Sequence, residues 1–299
     1  MHSLLGNNKL DGNIHRVYTT VKEFRVSTPD SDEPVSTRQH GDFDHLLTLS
    51  NARHMGHHLN ILLIGEKGTG KSTACKALAD ILKRPFYFHG AVGDEFKLKG
   101  FEDAGGRYHE TQYFKGWTQP SVIMLDEIDG SSADALLSIN TDLANQYADF
   151  PTGKFDKHKD CLVVACANTN MMGATMDYTG RSTQDAALRD RFVKMEWKLD
   201  EELEKSYCGN WVHWALIIQH LRAELKKNGC SFLSPRASYM GVSVIKACLG
   251  VNTFATAWNI AVESSFWHDY SKDELEQLMV SETIIGLREQ LRLVYEKLS

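Results

Sequence analysis

Eight consecutive residues, Gly65-Glu66-Lys67-Gly68-Thr69-Gly70-Lys71-Ser72, fit the spacing G-x-x-x-x-G-K-[ST] at every fixed position. Glycines at these points let successive backbone N–H groups turn inward around phosphate oxygens, a path that a Cβ would obstruct. The helix expected from Lys71 onward adds its positive end and unpaired N–H groups, with Thr73 in its first turn. Lys71 is a point charge for the outer phosphates, and Ser72 is a hard oxygen ligand for Mg²⁺. An apolar run precedes the loop and a helical pattern follows it, a context that a chance glycine turn lacks. These residues point to a nucleotide site, with Ser72 as a Mg²⁺ ligand.

A second stretch, 121–129 (SVIMLDEID), is an apolar run that ends in carboxylates. It reads as a strand buried on both faces of a parallel sheet, whose carboxyl end is where open α/β sheets bind ligands. There Asp126 suits the Mg²⁺ shell and Glu127 suits polarisation of an attacking water. Residues 161–167 form another apolar strand that ends in Asn168-Thr169-Asn170. Asn168 can orient the lytic water by hydrogen bond, with Asn170 the weaker choice. Arg191, between Asp190 and Phe192, can reach a phosphate held by a neighbouring subunit. The competing readings are an ion pair of Arg191 with Asp190 or Asp185, and Arg189 in its place. Arg236 follows Ser234-Pro235 at a helix start, where a γ-phosphate contact is possible.

The elements that must position these groups are legible from periodicity. Strands are expected at 61–64, 85–89, 122–125, 161–167 and 193–197, five in all, with helices at 72–82 and 133–147 between them. A short helix is expected at 43–49, and residues 54–58 (HMGHH) read as a helix end and turn rather than a three-histidine metal cluster. Residues 15–21 read as extended and 27–34 as a loop. Residues 105–116 alternate aromatic and polar groups between glycines, as a hairpin or exposed loop does. From 200 onward helices are expected at 201–207, 211–227, 236–249, 253–266 and 275–298, the last including a terminal helix at 282–297. The expected division is an extension at 1–50, a nucleotide-binding α/β domain at 51–200 and a helical domain at 201–299.

The chain has 299 residues, of which 42% are hydrophobic and 24% charged, ordinary values for a globular protein. A net charge of −6 gives no overall pull toward nucleic acid. Six scattered cysteines lack disulfide or zinc-ribbon spacing, and Cys75, Cys161 and Cys166 read as reduced core residues. With no signal pattern and no apolar run of membrane length, a cytoplasmic setting away from the membrane is expected.

With these parts in this order, the chain resembles an AAA+ ATPase. Within that superfamily it is similar to the MoxR and dynein-related group, which includes the cobaltochelatase small subunit, the rubisco-activating ring ATPases and phage-encoded relatives. The pieces that carry the finer resemblance are Asp149-Phe150-Pro151, Asp156-Lys157-His158, Ala167-Asn168-Thr169, Tyr178-Thr179-Gly180 and Asp190-Arg191-Phe192. The resemblance implies a P-loop NTPase fold of αβα type, a five-stranded parallel sheet followed by a small helical lid. It implies a homo-oligomeric ring, usually of six, with ATP between subunits and Arg191 as the finger from the neighbour. It further implies a sensor role for Arg236, often across the interface. A protein client or a von Willebrand A-type partner is expected, and the 105–116 segment is placed toward pore or substrate. The first and last 50 residues match nothing within that resemblance.

The leading expectation is a ring-forming ATPase that remodels a protein. A nucleic-acid motor or loader is the alternative, for which Lys97, Lys99, Arg107 and Lys115 would have to form a local basic ring. A P-loop kinase acting on a small acceptor is disfavoured by Asp126-Glu127, Asn168 and the Asp-Arg-Phe element. A nucleotide-gated scaffold with slow turnover is a fourth, non-enzymatic use.

Overall fold

The computed structural model describes residues 22–26 and 35–299, with side chains from Arg38 onward. Five strands build one parallel sheet: β1 (Ile61–Ile64), β2 (Phe86–His89), β3 (Ser121–Leu125), β4 (Cys161–Ala167) and β5 (Val193–Glu196). Their order is β5-β1-β4-β3-β2. Because successive side chains point to opposite faces, each apolar run feeds two cores. Ile61, Leu63, Val122 and Met124 pack on one face with helix Phe43–Asn51 and helix α1 (Lys71–Leu82). Leu62, Ile123 and Leu125 pack on the other with helix α2 (Ala133–Asn145) and the short helix Gln112–Trp117. This αβα layering is the P-loop NTPase fold that the sequence predicts.

The C-terminal region is a separate apolar cluster of helices: α3 (Glu201–Cys208), α4 (Val212–Lys227), α5 (Arg236–Cys248), α6 (Phe254–Ser265), α7 (Lys272–Met279) and α8 (Glu282–Leu298). Trp211, Trp214, Ile218 and Leu221 are buried within it, as their shared face predicts. One ion pair ties three of these helices together. Arg222 of α4 donates to both carboxylate oxygens of Glu204 of α3, at 2.9 and 2.7 Å, and Ser238 of α5 donates to the same carboxylate at 2.6 Å. Glu204 and Arg222 are 1% and 5% exposed, so removing one partner strands a buried charge. Arg222→Ala is expected to cost about 3–5 kcal/mol in chemical denaturation. A paired Glu204→Leu, Arg222→Met variant should recover most of that loss, and equal losses in the single and double variants would count against the pairing.

Several expected elements differ in detail. Residues 54–58 are not a helix end but the second half of a hairpin, strands Arg53–His54 and His57–His58 around Met55 and Gly56, both at positive φ. His58 lies between two guanidiniums, each donating to or sharing its Nε2 at 3.0 Å, and burial holds its pKa down at about 4. Among the described residues no cluster of three His, Cys, Asp or Glu could hold a metal. The aromatic stretch is a hairpin earlier than expected, Phe101–Glu102 with Tyr108–His109. Residues 112–117 are helical instead, capped by the Thr111 hydroxyl. The expected helix over 275–298 is two helices, because Ser281 accepts from the Ile284 N–H and starts a new one. The segment 147–158 supplies a hairpin, Tyr147–Phe150 with Gly153–Asp156, that periodicity did not indicate. All six cysteines are free, and five of them are buried. Residues 15–21 and 27–34 lie outside the described residues. Among the described residues no helix is long and apolar enough to cross a membrane.

Candidate active site

Register decides where the site forms. Ile64 pairs with Ala167 on one side and Glu196 on the other, so the loop after β1 leaves the sheet beside Asn168. The Gly65 N–H donates to the Ala167 carbonyl at 3.1 Å. A Cβ on Gly65 would lie 2.0 Å from the Trp197 carbonyl oxygen, a backbone atom that cannot give way. Gly68 has φ +78°, and Ser234 at the entrance to α5 packs directly over it. Trp197 closes the loop from below, its indole N–H donating to the Thr69 carbonyl at 3.1 Å.

Lys71 is 7% exposed. Its ammonium donates to Gly65 O (2.6 Å), Glu66 O (3.0 Å) and Asn168 Oδ1 (2.9 Å). Burial pulls its pKa down, and the Asp126, Asp129 and Glu66 carboxylates push the other way. An incoming phosphate would exchange for neutral oxygens around a desolvated cation, a favourable trade in a low-dielectric loop.

The two expected Mg²⁺ ligands meet. Ser72 Oγ donates to Asp126 Oδ2 at 3.0 Å, so two hard oxygens from different elements converge at the edge of the loop. That donor set fits Mg²⁺ held by few protein ligands plus phosphate oxygens. Glu127 follows on a left-handed backbone, φ +52°, which turns its half-exposed side chain into the same cleft. Asn168 lies opposite, bound to Lys71.

The cleft has a volume of about 690 Å³. Residues 67–74, Asp126, Glu127 and Asn168 make its polar floor. Gln39 and His40 line one wall, while Leu203, Tyr207, Tyr239, Val242 and Arg236 line the wall from the helical region. His40 is stacked on Trp197 at 4.2 Å, and its Nε2 is 2.7 Å from the Lys198 carbonyl oxygen. A polar floor beside an apolar, aromatic wall suits a triphosphate carrying a flat base. Arg236 therefore faces the phosphate loop of its own chain.

Arg191 is not brought into this cleft. It is exposed, and among the described residues its guanidinium has no ion pair with Asp185 or Asp190, while its carbonyl accepts from Asn60 Nδ2 at 3.2 Å. Arg189 is half-buried, with its Nε enclosed and unpartnered among the described residues. Asn170 is exposed and lies off the cleft.

Three residues that periodicity did not single out organise the site. Asp129 is fully buried, and its Oδ2 accepts from Asn168 N (3.1 Å), Thr169 N (2.9 Å) and Thr169 Oγ1 (2.9 Å). It clamps the end of β4 that carries the asparagine. Tyr178 donates to Glu66 Oε2 at 2.7 Å and accepts from the Lys67 N–H at 3.0 Å, with burial raising its phenol pKa. Arg181 stands beside Glu127 and Asp129. The third acidic residue of DEID was visible in the sequence, but its partners 39 and 40 residues away were not.

Residues 61–195 match the family described as "ATPase family associated with various cellular activities (AAA)". The 26S proteasome regulatory subunit homolog of Methanothermobacter thermautotrophicus (strain Delta H) is 30% identical over 148 residues, 49% of this chain and 37% of that protein. The chain thus spans little more than a third of that relative's length. Among solved structures, NtrX from Brucella abortus has a TM-score of 0.43 at 15% identity, covering 86% of this chain and 52% of its own. The closed state of Hsp104 with ATPγS and FITC casein has a TM-score of 0.43 at 14% identity, covering 80% and 45%. The segment that carries the phosphate loop, the acidic strand tip and the strand-end asparagine is thus the part of the chain that matches the AAA ATPase family.

Proposed function

We propose that the protein is a Mg-ATP-dependent ring ATPase of the MoxR and dynein-related type, which hydrolyses ATP at subunit interfaces to remodel or activate a protein partner. One observation carries this reading. Lys71, Ser72, Asp126, Glu127, Asn168 and Arg236 surround one cleft, while Arg191 is exposed outside it, with no ion pair among the described residues. A transition-state cation on the outer surface is useful only to a neighbour's phosphate.

In this reading residues 65–73 hold the triphosphate, and Lys71 transfers its hydrogen bonds from loop carbonyls to phosphate oxygens. Ser72 and Asp126 would hold Mg²⁺, which would supply positive charge toward the phosphates. Glu127 accepts the proton of the attacking water, and Asn168 orients that water. Arg236 reports the γ-phosphate to the helical region through α5, whose start packs over Gly68. The proposed division is 1–50, 51–200 and 201–299, with the hairpin around residues 101–109 facing pore or client.

The nucleic-acid alternative draws less support from the side chains. Lys99 is turned inward onto Asp142, and Lys115 lies 3.8 Å from Glu110, which leaves Lys97 and Arg107 for a basic ring. The test is mass in solution with and without a non-hydrolysable ATP analogue. A nucleotide-dependent shift to a closed ring, six subunits being expected, supports the proposal. A monomer that hydrolyses ATP at full rate at nanomolar concentration would overturn it.

A further inference from the structure

Arg181 is largely enclosed by its surroundings. It is 13% exposed at the side chain, and its guanidinium lies over Gly130, where an added Cβ would collide with Nη1. The same group lies 5.8 Å from the centre of the Tyr178 ring. Its Nε is 3.5 Å from Asp129 Oδ2, and its Nη2 is 3.6 Å from Glu127 Oε1. Three residues earlier, Tyr178 is bonded to Glu66 and Lys67 of the phosphate loop. One residue before that, Asp177 accepts from the Phe232 N–H at 3.3 Å, at the edge of the helical region. The segment 177–181 therefore spans phosphate loop, acidic strand tip and helical region.

We infer that Arg181 is a positioning residue for ATP hydrolysis: it holds the Glu127 carboxylate in the orientation that accepts the water proton. Glu127 sits on a left-handed residue with a half-exposed side chain, and among the described residues Arg181 is the charged group beside its carboxylate. A guanidinium beside one oxygen leaves the other free to face the cleft. The 3.6 Å separation is that of an ion pair without a full hydrogen bond, so the carboxylate is guided while its proton-accepting oxygen stays available. Arg181 does not line the cleft, so its effect falls on turnover rather than on nucleotide binding. Through Tyr178 and Asp177 the placement of Glu127 also follows the position of the helical region.

This inference rests on Glu127 as the base, and the experiment separates the two. Steady-state ATP turnover and nucleotide affinity would be measured on full-length Arg181→Ala, Arg181→Lys, Gly130→Ala, Glu127→Gln and the Arg181→Ala, Glu127→Gln double variant. Gly130→Ala keeps the arginine but displaces its guanidinium, since the clash is with a flexible side-chain end and Gly130 has an ordinary φ. Arg181→Ala and Gly130→Ala should each lower kcat about tenfold or more with KM for ATP unchanged. Arg181→Lys should recover part of the loss. In the Glu127→Gln background Arg181→Ala should change the residual rate less than twofold, since an effect exerted through Glu127 cannot act twice. Normal kcat in Arg181→Ala while Glu127→Gln is inactive overturns this inference alone. Normal turnover in Glu127→Gln overturns both it and the base assignment. A kcat loss that is undiminished in the double variant assigns Arg181 a merely structural role.

Discussion

Glu127→Gln is expected to bind ATP with near-native affinity and to hydrolyse it about 10²- to 10⁴-fold more slowly, the range that general-base catalysis contributes. The substitution keeps the shape of the side chain and removes only its capacity to take a proton. Lys71, Ser72 and the loop N–H groups, which supply the binding energy, are untouched. Asp126 remains paired with Ser72, so the Mg²⁺ ligands remain as well. If the proposed ring forms, it should then accumulate in its ATP-bound form and retain any client, so a pull-down on this variant would test for a partner. Single-turnover hydrolysis and nucleotide binding measured side by side check the prediction, and a variant that turns over normally removes Glu127 from the reaction.

Arg191→Ala is expected to lose about 10³- to 10⁵-fold in kcat while binding nucleotide normally. The asymmetry follows from position, because Arg191 is exposed outside the cleft of its own chain. The backbone there should survive the change, since its anchor is the Asn60 bond to the Arg191 carbonyl. Mixing provides the sharper test. A Lys71→Ala subunit cannot bind ATP but carries an intact Arg191, and an Arg191→Ala subunit does the reverse. Together they should regain activity at the interfaces where one completes the other, though each alone is inactive. Mixtures that stay inactive at every ratio, while both variants still assemble, would transfer the finger to Arg189 or abolish it.

Most of the fold was legible because each strand announces itself locally. Ile61–Ile64, Val122–Leu125 and Cys161–Ala167 are continuous apolar runs, as strands covered on both faces must be. Shorter features were less legible. Residues 112–117 alternate aromatic and polar side chains yet form a helix, because Tyr113 and Trp117 bury against the sheet one turn apart. The break between α7 and α8 depends on one serine cap within an otherwise helical pattern.

By itself the sequence singled out the phosphate loop, the proposed magnesium pair and the proposed base, since glycine spacing and strand-end carboxylates act through the backbone that carries them. Tertiary structure alone decided which groups hold them. Asp129 meets Asn168 across 39 positions and Tyr178 meets Glu66 across 112, because strand order and register bring those ends to one edge of the sheet. The same topology leaves Arg191 facing outward, a direction no local pattern encodes, because it follows from how β5 lies against β1.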